Sequence, residues 1–200
     1  LARDSKGLVP VEGKGKEAIN LIIPSDIFHK RYDKLRQFLR TSQSNQRPDL
    51  IIASISFDQY EEPIALKITP IEVKTSDKSF PQSREQSALK QASEFAKFLN
   101  LLKSESEKVE IWSLAWRDLL ASWVEYGFKI IGQKEAIIKD SDWLKRQTAT
   151  ITKIVSGMLP IYIDDNGRLI SISDRGTSGS KISDYALTLT KEDAAKVFGD

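Results

Sequence analysis

The chain has 200 residues, 40% of them hydrophobic and 29% charged, with a formal net charge of +2, one histidine and no cysteine. This size and composition predict one globular domain with an ordinary hydrophobic core. Without cysteine the chain has no disulfide, thiolate nucleophile or cysteine-ligated metal, and its single histidine, His29, excludes sites that need paired imidazoles. Any metal ligands are then carboxylates and other oxygen groups, which favours a hard ion such as magnesium or manganese.

Charge is unevenly distributed along the chain. Residues 1–48 contain ten Lys or Arg and five Asp or Glu, whereas residues 49–108 contain eight and ten. The basic N-terminal quarter is compatible with a polyanionic partner, and equally with a solvated surface. No apolar run approaches the roughly 18 residues of a membrane span and no signal-peptide pattern is present, so we expect a cytoplasmic protein without a membrane partner. The start at Leu1 and the end at Asp200 suggest a segment of something longer.

The first half of the chain alternates apolar runs with polar loops. Short β-branched runs predict strands, and apolar residues at helical spacing predict helices, the first of them capped by Ser25. The predicted elements are strands over 18–23, 50–57 and 64–74, and helices over 25–39 and 84–103. Loops are expected over 1–17, 41–48 and 75–83.

The middle of the chain is harder to assign. Residues 109–126 open with a possible strand over 109–112 and continue as a helical stripe. That stripe consists of Trp116, Leu119, Leu120 and Trp123, and we expect it in the core rather than as a stacking platform for bases. Residues 127–140 predict a loop or a strand over 128–131, and a helix is expected over 142–156.

The C-terminal 40 residues contain the strongest turn signal. Residues 161–163 and 168–173 flank Asp164–Gly167, whose Asn-Gly pair supplies the positive φ angles of a tight β-hairpin turn. A Gly/Ser-rich loop over 174–181 and a strand over 185–189 follow. Thr190 with Asp193 resembles a capping box and predicts a short final helix.

Three charged residues stand on two predicted strands. Asp49 opens the strand in the segment RPDLII, and Glu72 and Lys74 lie in the segment IEVK. Residues two apart in a strand share a face, so Glu72 and Lys74 point the same way, and pairing of the strands brings Asp49 beside them. Two carboxylates at short range repel unless a cation lies between them. Such an ion polarises a phosphate oxygen and activates water, while the lysine orients that water or offsets developing charge.

This arrangement resembles the PD-(D/E)XK nuclease superfamily. The superfamily pattern matches Pro48-Asp49 and Glu72-Val73-Lys74, and the order of two strands followed by a helix fits as well. The resemblance implies that Asp49, Glu72 and the backbone carbonyl of Val73 ligate Mg²⁺ or Mn²⁺, and that Lys74 is the catalytic lysine.

The same resemblance implies a fold. It predicts an α/β protein with a restriction-endonuclease-like central mixed β-sheet flanked by helices, and with a C-terminal helix and β-hairpin extension. Residues 1–126 are then the nuclease-like core, and residues 127–200 the extension packed on the same domain. Some branches place a glutamine early in the helix after the motif strand, where Gln86 matches best and Gln91 second.

By this resemblance the chain is a metal-dependent DNA endonuclease domain that hydrolyses phosphodiester bonds in a prokaryotic restriction or anti-phage defence system. Its expected partners are DNA and an ATPase or translocase domain or subunit of the parent protein, and a homo-oligomer is compatible with it. The alternative is a non-catalytic module of the same fold for DNA binding or protein assembly. A third interpretation is purely structural: Asp49 is a turn residue after proline, and Glu72 and Lys74 form a cross-strand salt bridge on an exposed face.

Overall fold

One mixed β-sheet organises the computed structural model, which describes residues 17–39, 47–76, 82–132, 141–174, 181–183 and 185–198. Its strands are β1 (Glu17–Pro24), β2 (Leu50–Phe57), β3 (Pro63–Ser76), β4 (Ile161–Ile163), β5 (Arg168–Ser173), β6 (Lys181–Ser183) and β7 (Ala186–Leu189). The helices are α1 (His29–Leu39), α2 (Gln82–Ser106), α3 (Glu110–Gly132), α4 (Ser141–Val155) and α5 (Lys191–Phe198). The expected α/β class, with a mixed sheet flanked by helices, is confirmed.

An antiparallel half and a parallel half of the sheet meet at β3. β1, β2 and β3 match the strands predicted at 18–23, 50–57 and 64–74, and each is the antiparallel neighbour of the next. On its other side β3 pairs in parallel, first with β4 and further along with β5. β7 then pairs with β5 in parallel, and β6 lies antiparallel to β7. The long strand β3 is thus the only described strand shared by both halves.

The predicted β-hairpin between residues 161 and 173 is wrong. β4 and β5 each pair with β3, at Leu66–Ile68 and at Ile71–Ser76, and they follow one another along it in the same direction. A turn does form between them, in which Gly167 has a φ of +63° and its N–H donates to the carbonyl of Asp164, but Asn166 does not adopt the predicted positive φ. The residues of a turn do not determine which strand β5 pairs with. β5 is buried along most of its length, as parallel strands covered on both faces usually are.

α3 replaces the elements predicted between residues 109 and 132. It is one continuous helix from Glu110 to Gly132, so the strands predicted over 109–112 and 128–131 are both wrong. Short apolar runs do not distinguish a strand from a buried helical turn. The predicted boundary at residue 126 falls inside this helix. The stripe of Trp116, Leu119, Leu120 and Trp123 is buried in the core as expected.

Three apolar clusters, one of them larger than the other two, hold the helices to the two faces of the sheet. The larger one joins one face to α2, α3 and α4, and at its centre the indole N–H of Trp123 donates to the Tyr32 hydroxyl at 3.1 Å. A second cluster joins Ile71 and Ile170 to Ala194 of α5 on the other face, and a third joins β5 and β7 to α2 on the first face. The sheet is therefore covered on both sides where β3 and β5 meet.

The remaining predicted helices and strands agree with the structure to within a few residues, whereas strand β6 was not predicted. Helices α2 and α4 and strand β7 lie where they were expected, and the Thr190 hydroxyl accepts the backbone N–H of Asp193 at 3.1 Å, as a capping box requires. The loop at 1–16, most of the loops at 41–48 and 75–83, and nearly all of the Gly/Ser-rich segment lie outside the described residues. Among the residues described, no helix combines the length and hydrophobicity needed to cross a membrane.

Candidate active site

The start of β2 places Asp49 next to the motif strand. Leu50, the first residue of β2, is the register partner of Ile71. Asp49 precedes Leu50 and therefore lies beside the residues of β3 that follow Ile71. There the backbone N–H of Val73 donates a hydrogen bond to Oδ2 of Asp49 at 2.7 Å. A carboxylate from the loop before β2 is thereby fixed to the strand that carries Glu72 and Lys74.

Glu72 and Lys74 lie on one face of β3 and contact each other. Nζ of Lys74 donates a hydrogen bond to Oε1 of Glu72 and lies 3.9 Å from Oδ2 of Asp49. The structure therefore brings the three residues predicted from the sequence into one cluster. Their exposure differs, because the side chain of Glu72 is fully buried whereas that of Lys74 is 37% exposed and that of Asp49 is 48% exposed.

The burial of Glu72 dominates its electrostatics. Loss of solvation raises the pKa of Glu72 from 4.5 to about 7, with a smaller upward contribution from the negative charge of Asp49 and an opposing one from Lys74. Its second oxygen, Oε2, is buried without a hydrogen-bond partner. A salt bridge on an exposed face, the purely structural interpretation of Glu72 and Lys74, does not describe this carboxylate, whose side chain is fully buried.

The segment before Asp49 is held from two sides. The N–H of Ser25 donates to the carbonyl of Asp49 at 3.0 Å, and the Ser25 hydroxyl donates to the carbonyl of Pro48. From α2, Nε2 of Gln91 donates to the carbonyl of Arg47 at 2.5 Å. Ser25 was predicted to cap a helix, but residues 25–28 form a 3₁₀ turn without a side-chain cap and its hydroxyl supports this segment instead.

The structure separates the two candidate glutamines. Gln86 lies on an exposed part of α2, whereas Gln91, further along the same helix, is half-buried and reaches the loop that carries Asp49. Gln91 is therefore the glutamine that the structure connects to the cluster.

The donor set suits a hard cation. The N–H and C=O of one residue in a strand point to the same edge, so the carbonyl of Val73 faces the side on which Asp49 lies. Within the described ranges no group of three Asp, Glu, His or Cys residues is close enough to hold a metal. Two carboxylates and one carbonyl fit a Mg²⁺ site, since this ion keeps several waters and uses few protein ligands. The partnerless Oε2 of Glu72 is the atom that such an ion would satisfy.

Sequence reasoning missed the polar residues that β5, β7 and α2 bring to this side of the sheet. Ser171 is the register partner of Lys74, and Thr188 is that of Ser171, and both are buried. On α2, Glu85 is also buried, and this burial raises its pKa. The only signal in the sequence was the polar Ser171 at an inward position of an apolar run.

Comparison with known proteins identifies no relative. A scan of protein-family models found no match, and searches of the curated proteins and of the solved structures returned none of significance.

Proposed function

We propose that this chain is a metal-dependent DNA nuclease domain with a restriction-endonuclease-like fold. One observation carries the proposal: Asp49, Glu72 and Lys74, matched to the superfamily pattern in the sequence, converge at one position on β3. A partly exposed carboxylate, a buried carboxylate and a lysine at one strand end are the groups that phosphodiester hydrolysis with a bound cation requires.

The fold supports the same assignment. β2 and β3 are antiparallel neighbours and α2 follows the motif strand, which is the order that the superfamily resemblance implies. The strands that follow in the chain extend the sheet from β3 in parallel. Fold alone does not define function, so the weight rests on the residues at the strand end.

In the proposed reaction each residue has a separate task. Asp49, Glu72 and the carbonyl of Val73 would hold the cation, whose bound form supplies Lewis-acid polarisation of a phosphoryl oxygen. The partly exposed Lys74 would donate hydrogen bonds to the attacking water or to the phosphoryl group as negative charge develops. Ser25 and Gln91 would keep the Asp49 segment in place.

Exposed positive charge on α1 supports a nucleic-acid substrate. α1 begins shortly after Ser25, which contacts the Asp49 segment, and it exposes Lys30 and Lys34. Cationic side chains contribute to DNA affinity by neutralising phosphates. In the parent protein, which we propose to be a restriction or defence system with an ATPase or translocase component, further contacts would add to this affinity.

The second candidate function is a non-catalytic module of the same fold. It is favoured by the direct hydrogen bond between Lys74 and Glu72, which is also how a purely structural ion pair would be arranged. In this alternative the chain binds DNA or a partner protein, and another domain performs the chemistry.

A cleavage assay with matched variants tests the proposal. Supercoiled plasmid and single-stranded DNA are incubated with the protein and Mg²⁺ or Mn²⁺, and with Glu72→Ala, Lys74→Ala and Lys67→Ala. Lys67 is a matched control because it lies on β3 but on the opposite face. We expect cation-dependent cleavage by the wild type and by Lys67→Ala, and loss of cleavage in the other two variants. Absence of wild-type cleavage with bound cation would favour the non-catalytic module.

A further inference from the structure

A row of polar side chains crosses the sheet beside the candidate active site. Lys74 of β3 is the register partner of Ser171 of β5, which in turn is the partner of Thr188 of β7. Partners in adjacent strands lie on the same face, so Ser171 is the nearest β5 side chain to Lys74 on the face that carries Glu72.

The hydroxyl of Ser171 is buried and unsatisfied. The residue is 1% exposed and its Oγ has no hydrogen-bond partner in the structure. Buried hydroxyls nearly always have a partner, because an unpaired one keeps the full cost of its desolvation. Alanine would fill the position without that cost. Beside Lys74, which is partly exposed, this unsatisfied hydroxyl is positioned to accept a hydrogen bond from the lysine in another state of the site.

The position of Lys74 must differ between the metal-free site and a site that holds a divalent cation. Its ammonium group donates a hydrogen bond to Oε1 of Glu72 and lies 3.9 Å from Oδ2 of Asp49. A divalent cation bound by both carboxylates would be repelled by an ammonium in this position and would compete with it for Glu72. The lysine must therefore move when the cation binds, and its partly exposed side chain is able to do so.

We propose that Ser171 is a positioning residue that accepts a hydrogen bond from Nζ of Lys74 when a divalent cation occupies Asp49 and Glu72. The proposal rests on the proposed function, because it assumes that these carboxylates hold the cation. Ser171 then lowers the cost of displacing Lys74 and keeps the ammonium beside the phosphoryl group rather than free in solvent.

The test is a double-mutant cycle on cation affinity, measured on the whole chain by titration calorimetry with Mn²⁺ alone. If Lys74 moves to Ser171, Ser171→Ala weakens Mn²⁺ binding by about 3- to 10-fold. In a Lys74→Gln background no ammonium is displaced, so Ser171→Ala has no further effect on the dissociation constant. Ser171→Thr, which keeps the hydroxyl, restores wild-type affinity.

Ser54→Ala is the matched control. Ser54 is 2% exposed and its hydroxyl is also buried without a partner, but it lies on β2 as the partner of Lys67, on the opposite face from Lys74. We expect it to leave Mn²⁺ affinity unchanged, and the melting temperatures of all variants without metal show that they fold.

Three outcomes are distinguishable. If wild-type protein binds no Mn²⁺, the proposed metal site fails before the role of Ser171 is addressed. If wild type binds Mn²⁺ and Ser171→Ala matches Ser54→Ala, Lys74 moves to solvent and the inference about Ser171 is overturned. If Ser171→Ala weakens binding equally with and without Lys74, Ser171 acts on the site independently of the lysine, which also overturns it.

Discussion

Asp49 is tied to Val73 through one carboxylate oxygen, since the N–H of Val73 donates to Oδ2 at 2.7 Å. The hydrogen bond to Oδ2 fixes the loop to β3. The negative charge of the same carboxylate is what would attract a cation. The two tasks are separable by asparagine, whose amide oxygen accepts the same N–H but carries no negative charge.

Asp49→Asn is expected to fold with nearly wild-type stability, within about 1 kcal/mol in the presence of chelator. It is expected to lose the stabilisation that Mn²⁺ gives the wild type, which reaches about 2.7 kcal/mol at a hundredfold excess over the dissociation constant. Thermal melting with and without Mn²⁺ measures both. Asp58→Asn is the control, because Asp58 also accepts backbone N–H groups but in the turn between β2 and β3. An unchanged Mn²⁺ shift in Asp49→Asn would exclude Asp49 as a ligand.

Gln91 and Gln86 make a matched pair on α2. Gln91→Ala removes the donor to the carbonyl of Arg47, so we expect a loss of about 1 kcal/mol in unfolding free energy and weaker Mn²⁺ binding. Gln86→Ala changes an exposed side chain and is expected to stay within about 0.5 kcal/mol of wild type. Urea denaturation and Mn²⁺ titration of both variants measure the difference. Equal effects, or a larger effect at Gln86, would contradict the assignment of Gln91.

The approach of Asp49 to Glu72 and Lys74 was predictable because it depends on local pairing. β2 and β3 are joined by a short turn, and antiparallel strands so connected pair with one another by default. The alternation of side chains within β3 then places Glu72 and Lys74 on one face. Sequence periodicity was sufficient for this part of the site.

Ser171 and Ser25 were not predictable as parts of the site because their contacts depend on distant pairing. Ser171 lies beside Lys74 only because β5 pairs in parallel with β3, almost a hundred residues earlier in the chain. The Asn-Gly turn favoured a hairpin, and nothing local in the sequence opposes one. Ser25 stands at a position typical of a helix cap, and only the register of β1 on β2 brings it to the Asp49 segment.

Gly167 allows the turn between β4 and β5 to lie close against α2. Its φ is +63°, and a Cβ there would lie 2.5 Å from Cβ and 2.9 Å from the backbone carbon of Ala92 in α2. Gly167→Ala therefore combines left-handed strain with a backbone clash, and we expect a loss of about 2–4 kcal/mol. Gly157→Ala has similar backbone strain, but its Cβ meets the flexible Arg117 side chain, so the expected loss is about 1–2 kcal/mol. Denaturant unfolding measures both, and an equal or reversed order would contradict the clash with α2.

The raised pKa of Glu72 predicts a pH-dependent cost of folding. In the unfolded chain this carboxyl has its ordinary pKa of 4.5, and in the folded protein burial raises the value to about 7. Between these values the folded state binds more protons than the unfolded state, so stability falls as pH rises. Below about pH 4.5 both states are protonated and the cost is absent, and above about pH 7 it is complete, on the order of 3 kcal/mol.

Glu72→Gln removes this ionisation. It is expected to change how the unfolding free energy depends on pH, and not only to shift it by a constant amount. In chelator, the unfolding free energy of the variant relative to wild type should increase from pH 4.5 to pH 7 and then level off, because only the wild type acquires the buried charge. Glu94→Gln provides a contrast, since a hydrogen bond from Lys97 lowers the pKa of Glu94 and gives a slope of the opposite sign, confined to pH values below about 4.5. Urea denaturation in steps of half a pH unit measures all three proteins. Parallel profiles for wild type and Glu72→Gln would show that the Glu72 carboxyl ionises in the folded protein as it does in the unfolded chain, and that the burial of its Oε2 is relieved in solution.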